Sequence, residues 1–208
     1  NNLLGQKLEG KTLLNLGDSI AASDLYSGFI SIKHSMPLVN LASGGATITP
    51  RAGYDNEVIK QVNDAIAQGV TPDYVLFNGG TNDANVLDLS LTGTITDGYD
   101  DVLDLNTFCG AFENLVKTMI NNWHYAKIIY IRVHNMDSRD DRQRVYGELA
   151  LEICKKWSIP FVDIYSEGRL NSKISIMKTN YAPDGTHPNP EGIAKFYVPL
   201  IESKMNEV

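Results

Sequence analysis

Ser19 stands where a serine can act as a nucleophile. The run Thr12-Leu13-Leu14-Asn15-Leu16 has the apolar content of a buried strand, Gly17 interrupts it, and Ser19 follows at the head of a helix-compatible segment, Ala21 to Met36. A serine at a sharp strand-to-helix turn has its hydroxyl lifted off the sheet edge, with free helix-start N–H groups that favour developing negative charge. It still needs a base to take its proton and a group to hold that base in the right tautomer. Of the four histidines, His34 and His124 fall near helix ends and read as surface residues, while His134 follows a strand and reads first as structural. His187 lies in Ala182-Pro183-Asp184-Gly185-Thr186-His187-Pro188-Asn189-Pro190, a loop stiffened by three prolines. Asp184 precedes it by three residues across a glycine turn, which can bring carboxylate and imidazole together, and Pro188 biases His187 toward an extended backbone. Ser19, His187 and Asp184 are therefore the candidate nucleophile, base and orienting carboxylate.

Acyl chemistry also needs donors aimed at the oxyanion of a tetrahedral intermediate. The Ser19 N–H is one candidate. Gly44 and Gly45, in Ser43-Gly44-Gly45-Ala46-Thr47, allow close backbone approach, and Asn82, in Gly79-Gly80-Thr81-Asn82-Asp83, offers a side-chain amide.

Positioning these groups requires a frame, and the chain alternates short apolar runs with longer helical patterns. Expected strands are Thr12–Leu16, Pro37–Ala42, Asp73–Asn78, Lys127–Val133 and Ile159–Ile164, several apolar on both faces as buried parallel strands are. Expected helices are 23–36, 55–68, 106–125 (with Asn106 as cap), 139–157 (on the stripe Val145, Leu149, Ile153, Trp157) and 190 to about 206. Such alternation implies one α/β domain over residues 1–208, with helices on both faces of a parallel sheet in the flavodoxin-like order 2-1-3-4-5. Ligands then bind at the carboxyl ends of the strands, where the loops carrying Ser19, Gly44–Gly45 and Asn82 lie. The stretch from Ala84 to Leu105 lacks periodicity and carries five aspartates; it is expected at the rim of this edge, as a substrate-facing lid or a solvated insertion.

Gly17-Asp18-Ser19-Ile20, a glycine after the second strand, Gly80-Thr81-Asn82-Asp83 and Asp184-x-x-His187-Pro188 occur in order across residues 17–188. Together they resemble the blocks of the SGNH (GDSL-like) hydrolase family. The resemblance implies a three-layer α/β/α sandwich and a serine esterase, with Ser19 as nucleophile, His187 as base and Asp184 as its orienter. It implies an oxyanion hole of the Ser19 N–H, a glycine N–H and the Asn82 side chain. Aligning Asn40 and Thr47 with the ends of the second block selects Gly45 over Gly44. Ile20 departs from the family's usual leucine, apolar for apolar, and Asp18 reads as a loop-fixing acceptor. This chemistry calls for no metal or organic cofactor.

The overall balance fits. A net charge of −7 leaves no basic face for a nucleic-acid backbone. No apolar run has the length of a membrane span or the form of a signal-peptide core, so no membrane partner is expected. Cys109 and Cys154 read as buried apolar residues. Compartment and oligomeric state are open. An α/β-hydrolase elbow is half matched by Gly17-x-Ser19-x-Ala21, but that fold places several strands before the nucleophile and separates Asp from His. A carbohydrate-binding module on the same fold would not need Ser19, Asn82, Asp184 and His187 together. The favoured substrate is a small-molecule or carbohydrate ester carrying a short acyl (acetyl) group, with longer acyl chains of the lipase or thioesterase type as the alternative. Arg51, Tyr54 and the acidic 88–104 insertion are candidates for the leaving-group side.

Overall fold

The computed structural model of the chain describes residues 7–208. Five parallel strands, β1 (Leu13–Leu16), β2 (Leu38–Asn40), β3 (Tyr74–Phe77), β4 (Lys127–Arg132) and β5 (Phe161–Asp163), form one sheet in the order β2-β1-β3-β4-β5. This is the expected order, and the strands alternate between two cores. Leu14 and Leu16 of β1, Val75 and Phe77 of β3, and Ile128 and Tyr130 of β4 face one core; Leu13, Tyr74, Leu76, Ile129 and Ile131 face the other. Both faces are apolar because helices cover both, which completes three α/β/α layers.

The helices in chain order are α1 (Ser19–Ala22), α2 (Leu25–His34), α3 (Val58–Ala67), α4 (Thr81–Val86), α5 (Phe108–Asn122) and α6 (Arg142–Lys156). They continue as α7 (Ile164–Glu167), α8 (Ser175–Tyr181), α9 (Pro190–Phe196) and α10 (Val198–Glu207). Helices α3, α5 and α6 supply the first core, through residues such as Val62, Phe112 and Tyr146. Helices α1, α2, α9 and α10 supply the second, through Ile20, Ile30, Ile193 and Ile201.

Several boundaries differ from the sequence expectation, each for a local reason. The first helix is broken at Asp24, which takes a left-handed conformation (φ 63°) and separates α1 from α2. The terminal helix divides at Tyr197, just before Pro199, whose missing N–H cannot continue the ladder. Thr107, not Asn106, caps α5, its hydroxyl accepting from the Gly110 N–H. In α6 the buried stripe is rotated from the expected one. Tyr146, Ala150, Ile153 and Cys154 point inward, while Val145 and Leu149 are half-buried.

The 84–105 stretch is not a lid over the carboxyl edge. It begins in α4, passes through a turn of 3₁₀ helix at Leu89–Leu91 and then straps the outer surface of α5 and α6. Thr96 bonds the buried Glu113 carboxylate of α5, and Lys156 at the end of α6 donates to the Thr96 and Gly98 carbonyls and to Glu113. Tyr99 packs edge-on against Trp157 at 5.1 Å. Since α6 runs from the carboxyl end of β4 to the amino end of β5, its last residues lie at the edge opposite Ser19. A buried carboxylate and a partly buried ammonium, mutually satisfied, thus anchor the strap far from the site.

Candidate active site

The chain turns sharply out of β1 because Gly17 lets it. Gly17 has φ +136°, and a Cβ there would lie 1.7 Å from Asn78 Oδ1. Gln61 of α3 holds its peptide from both sides, accepting from the Gly17 N–H at 2.7 Å and donating to its carbonyl at 2.9 Å. Asp18 then fixes the turn as expected. Its Oδ1 accepts from the Ile20 N–H (2.9 Å) and Asn78 Nδ2 (2.8 Å), and its Oδ2 from the Thr81 hydroxyl (2.7 Å). The loops after β1 and β3 are thereby locked together, and Ser19 opens α1 at the carboxyl edge of the sheet.

The His187 loop comes to Ser19 from the far end of the chain. Ser19 Oγ lies 2.9 Å from His187 Nε2, and His187 Nδ1 lies 2.7 Å from Asp184 Oδ2. The other Asp184 oxygen accepts the backbone N–H groups of Thr186 (2.8 Å) and His187 (2.7 Å), so one carboxylate fixes both the ring and the loop that bears it. Burial opposes the charge on Asp184, but the N–H and ring donors of His187 and the N–H of Thr186 outweigh it and hold its pKa at about 2. The sequence-derived nucleophile, base and orienting carboxylate stand in one hydrogen-bonded line, with the His187 and Asp184 side chains 50% and 55% exposed.

The loop that carries Gly44 and Gly45 approaches Ser19, a Cβ on Gly44 lying 3.9 Å from Ser19 Cβ, and Asn82 bonds the same loop. Asn82 Nδ2 donates one hydrogen to the Ala46 carbonyl (3.0 Å), which leaves the second for a ligand. Asp83, fully buried beside it, accepts the N–H groups of Ile48 (2.9 Å) and Thr49 (2.8 Å) and so ties α4 to the loop after β2. Its burial raises its pKa against the pull of those donors. The N–H groups of Ser19 and Gly45 have no acceptor among the described residues, and neither has that of Gly44. Unspent N–H groups beside a serine hydroxyl can receive the negative oxygen of a tetrahedral intermediate.

The model of the GDSL-like lipase/acylhydrolase family matches residues 16–195. The chain belongs to this family. It is an ester hydrolase with an α/β fold. Solved structures agree on the fold. A protein from Lactobacillus plantarum superposes with a TM-score of 0.75 at 22% identity, covering 96% of each chain. A lipase/acylhydrolase from Enterococcus faecalis gives 0.62 at 19% identity, covering 95% of this chain and 94% of its own. A variant of an acetyl xylan esterase from Geobacillus stearothermophilus gives 0.62 at 17% identity, covering 96% of each. Comparison with the sequences of curated proteins finds no match.

Other residues of this acylhydrolase fall outside the line. His134 is fully buried, its ring Nδ1 2.8 Å from the Tyr197 hydroxyl, which also accepts the His134 N–H at 3.1 Å. Desolvation, and then the nearby His187, push its pKa down to about 3 against the pull of Asp184, so it is a neutral structural residue. His34 bonds Glu202 across α2 and α10 (2.9 Å), and His124 is exposed against Tyr125. Tyr54, expected on the leaving-group side, instead donates to the Gly45 carbonyl at 2.8 Å, with Arg51 stacked 4.7 Å over its ring.

Braces from the loops after β4 and after α7 were not expected from the sequence. Ser172 Oγ donates to the Gly185 carbonyl (2.9 Å), Thr186 Oγ1 meets Ser138 Oγ (2.5 Å), and Arg139 Nε donates to the Thr81 carbonyl (3.0 Å). These bonds join the loops of His187 and Asn82. Isolated serine, threonine and arginine residues in loops carry no periodic signal, so only the assembled structure reveals them.

Proposed function

We propose that this ester hydrolase works through Ser19, His187 and Asp184 and removes short acyl groups, acetyl above all, from a carbohydrate. The observation that carries the reading is the continuous line from Ser19 Oγ to His187 (2.9 Å) to Asp184 (2.7 Å). His187 Nε2 takes the Ser19 proton as Oγ attacks the ester carbonyl. The oxyanion is met by the N–H groups of Ser19 and Gly45 and the free Asn82 amide hydrogen. Collapse of the tetrahedral intermediate breaks the bond to the alcohol oxygen, which receives the proton from His187, and leaves Ser19 acylated. Water, deprotonated by His187, then attacks the acyl carbonyl, and the second collapse returns the proton to Ser19 and frees the acid. Asp184 stays ionised throughout and stabilises the imidazolium. No step calls for a metal or organic cofactor.

The short-acyl preference rests on openness. The His187 and Asp184 side chains are half exposed, and the longest irregular stretch turns away to strap α5 and α6, so among the described residues no apolar lid covers an acyl chain. The likeness to an acetyl xylan esterase supports the same choice. The alternative of longer acyl chains draws on Val86, Leu89 and Leu91, apolar and exposed just beyond Asn82. Rates on acetyl, butyryl and octanoyl nitrophenyl esters separate the two: kcat/KM should fall with chain length, and a preference for octanoyl would overturn the acetyl assignment.

A further inference from the structure

Three consecutive carbonyl oxygens in the loop after β2 are each held by a side chain. Asn56 Nδ2 donates to Gly44 O (2.9 Å), the Tyr54 hydroxyl to Gly45 O (2.8 Å) and Asn82 Nδ2 to Ala46 O (3.0 Å). The N–H groups of the same peptides are not equivalent. The Ala46 N–H donates to Ser43 O (3.1 Å) and the Thr47 N–H to Asn56 O (3.1 Å), whereas the Gly45 N–H has no acceptor among the described residues. A trans peptide is planar, with its C=O and N–H on opposite sides. Holding Gly44 O toward Asn56 therefore directs the Gly45 N–H away from Asn56.

We infer that Asn56 is a positioning residue for the oxyanion hole: it aims and polarises the Gly44–Gly45 peptide whose N–H meets the negative oxygen of the substrate. This rests on the oxyanion role proposed above for Gly45. A hydrogen bond accepted at the carbonyl draws electron density from the N–H of the same peptide and strengthens it as a donor. Asn56 is itself held in place. Its carbonyl accepts from Thr47, and the Val58 N–H donates back to Thr47 O, so the two sides of the loop are stitched together. Gly45 takes φ +84°, a conformation a side chain would strain, and a Cβ there would lie 2.8 Å from the Tyr54 hydroxyl and displace it. The peptide thus sits in a fixed frame, and Asn56 supplies the contact that sets its tilt.

The test compares Asn56→Ala and Asn56→Asp with Tyr54→Phe, by kcat and KM on nitrophenyl acetate and by affinity for an alkylboronic acid, which forms a tetrahedral adduct on the serine. Asn56→Ala should lower kcat about tenfold, short of the roughly 10²–10³ for losing a donor outright, with KM nearly unchanged and boronate affinity weakened in parallel. Asn56→Asp should be worse, because a carboxylate would face the Gly44 carbonyl. Tyr54→Phe releases a peptide whose N–H is already spent on Ser43, so its kcat should fall by less than about threefold. Should Asn56→Ala not fold, Asn56→Gln, with its donor displaced by one methylene, should show the same loss of kcat. An Asn56 variant with kcat within about twofold of wild type, or a Tyr54→Phe loss equal to it, would overturn the inference. In either case a wild-type enzyme that still turns over ester through Ser19 leaves the proposed function standing; a wild-type protein that does not removes both.

Discussion

Changing Ser19 to alanine should lower kcat on nitrophenyl acetate by about 10⁶, the scale seen when a serine hydrolase loses its nucleophile. The expectation is this large because nothing in the site can replace it. Ser19 Oγ is the hydroxyl paired with His187 Nε2. The two thiols are buried, and burial pushes Cys109 up to about 11 and Cys154 higher still, so neither offers a thiolate near neutral pH. What remains in Ser19→Ala is the set of oxyanion donors, which accelerates attack by water only modestly. Burst kinetics and steady-state rates measure the effect; a variant retaining a hundredth of wild-type kcat would mean that another group attacks the ester.

Asp184→Asn should lower kcat by about 10³–10⁴, the lower end reflecting a pair that is half exposed and so screened by water. An asparagine oxygen can still accept the Thr186 and His187 backbone N–H groups that Asp184 accepts, so the loop should keep its shape. The amide nitrogen, however, would face His187 Nδ1 and demand that it accept. The ring proton would then sit on Nε2, against Ser19, where a base is needed. The pH dependence follows from the depressed pKa. Asp184 ionises at about 2 in the folded protein, below its unfolded value near 4, so its stabilising contribution is present above pH 4 and is lost as pH falls through 2. The Tm gap between wild type and Asp184→Asn should hold from pH 7 to 4 and close between 4 and 2. A constant gap down to pH 2 would contradict the assigned charge.

The parts of this molecule that could be read in advance are those with a local signature. The strands are short, several of them apolar on both faces, and their alternation with helices implies a parallel sheet and the edge where the site must lie. Gly17 is legible as the interruption of an apolar run, and Ser19, Asp184 and His187 as a set whose order resembles the blocks of a known family, since each turn alone has ordinary structural uses. Elements whose geometry depends on distant partners are not. The rotation of α6 follows from packing Tyr146 against Phe108, and the break at Asp24 from a single left-handed residue. The 84–105 strap is held by Glu113 and Lys156, 43 residues apart and both inside otherwise ordinary helices. Asn56 and Tyr54 act on the backbone of a loop about ten residues earlier, and no periodicity records such a bond.

Covalent labelling tests most directly whether Ser19 is a nucleophile activated by His187. Folded wild-type protein treated with a fluorophosphonate should gain one phosphonyl group, found by mass spectrometry on the peptide containing Ser19, and should lose esterase activity in step with labelling. Ser19→Ala should take up none, and Asp184→Asn should react far more slowly. Absence of labelling at Ser19 in folded, ester-hydrolysing protein, or full labelling at another residue, would contradict the account.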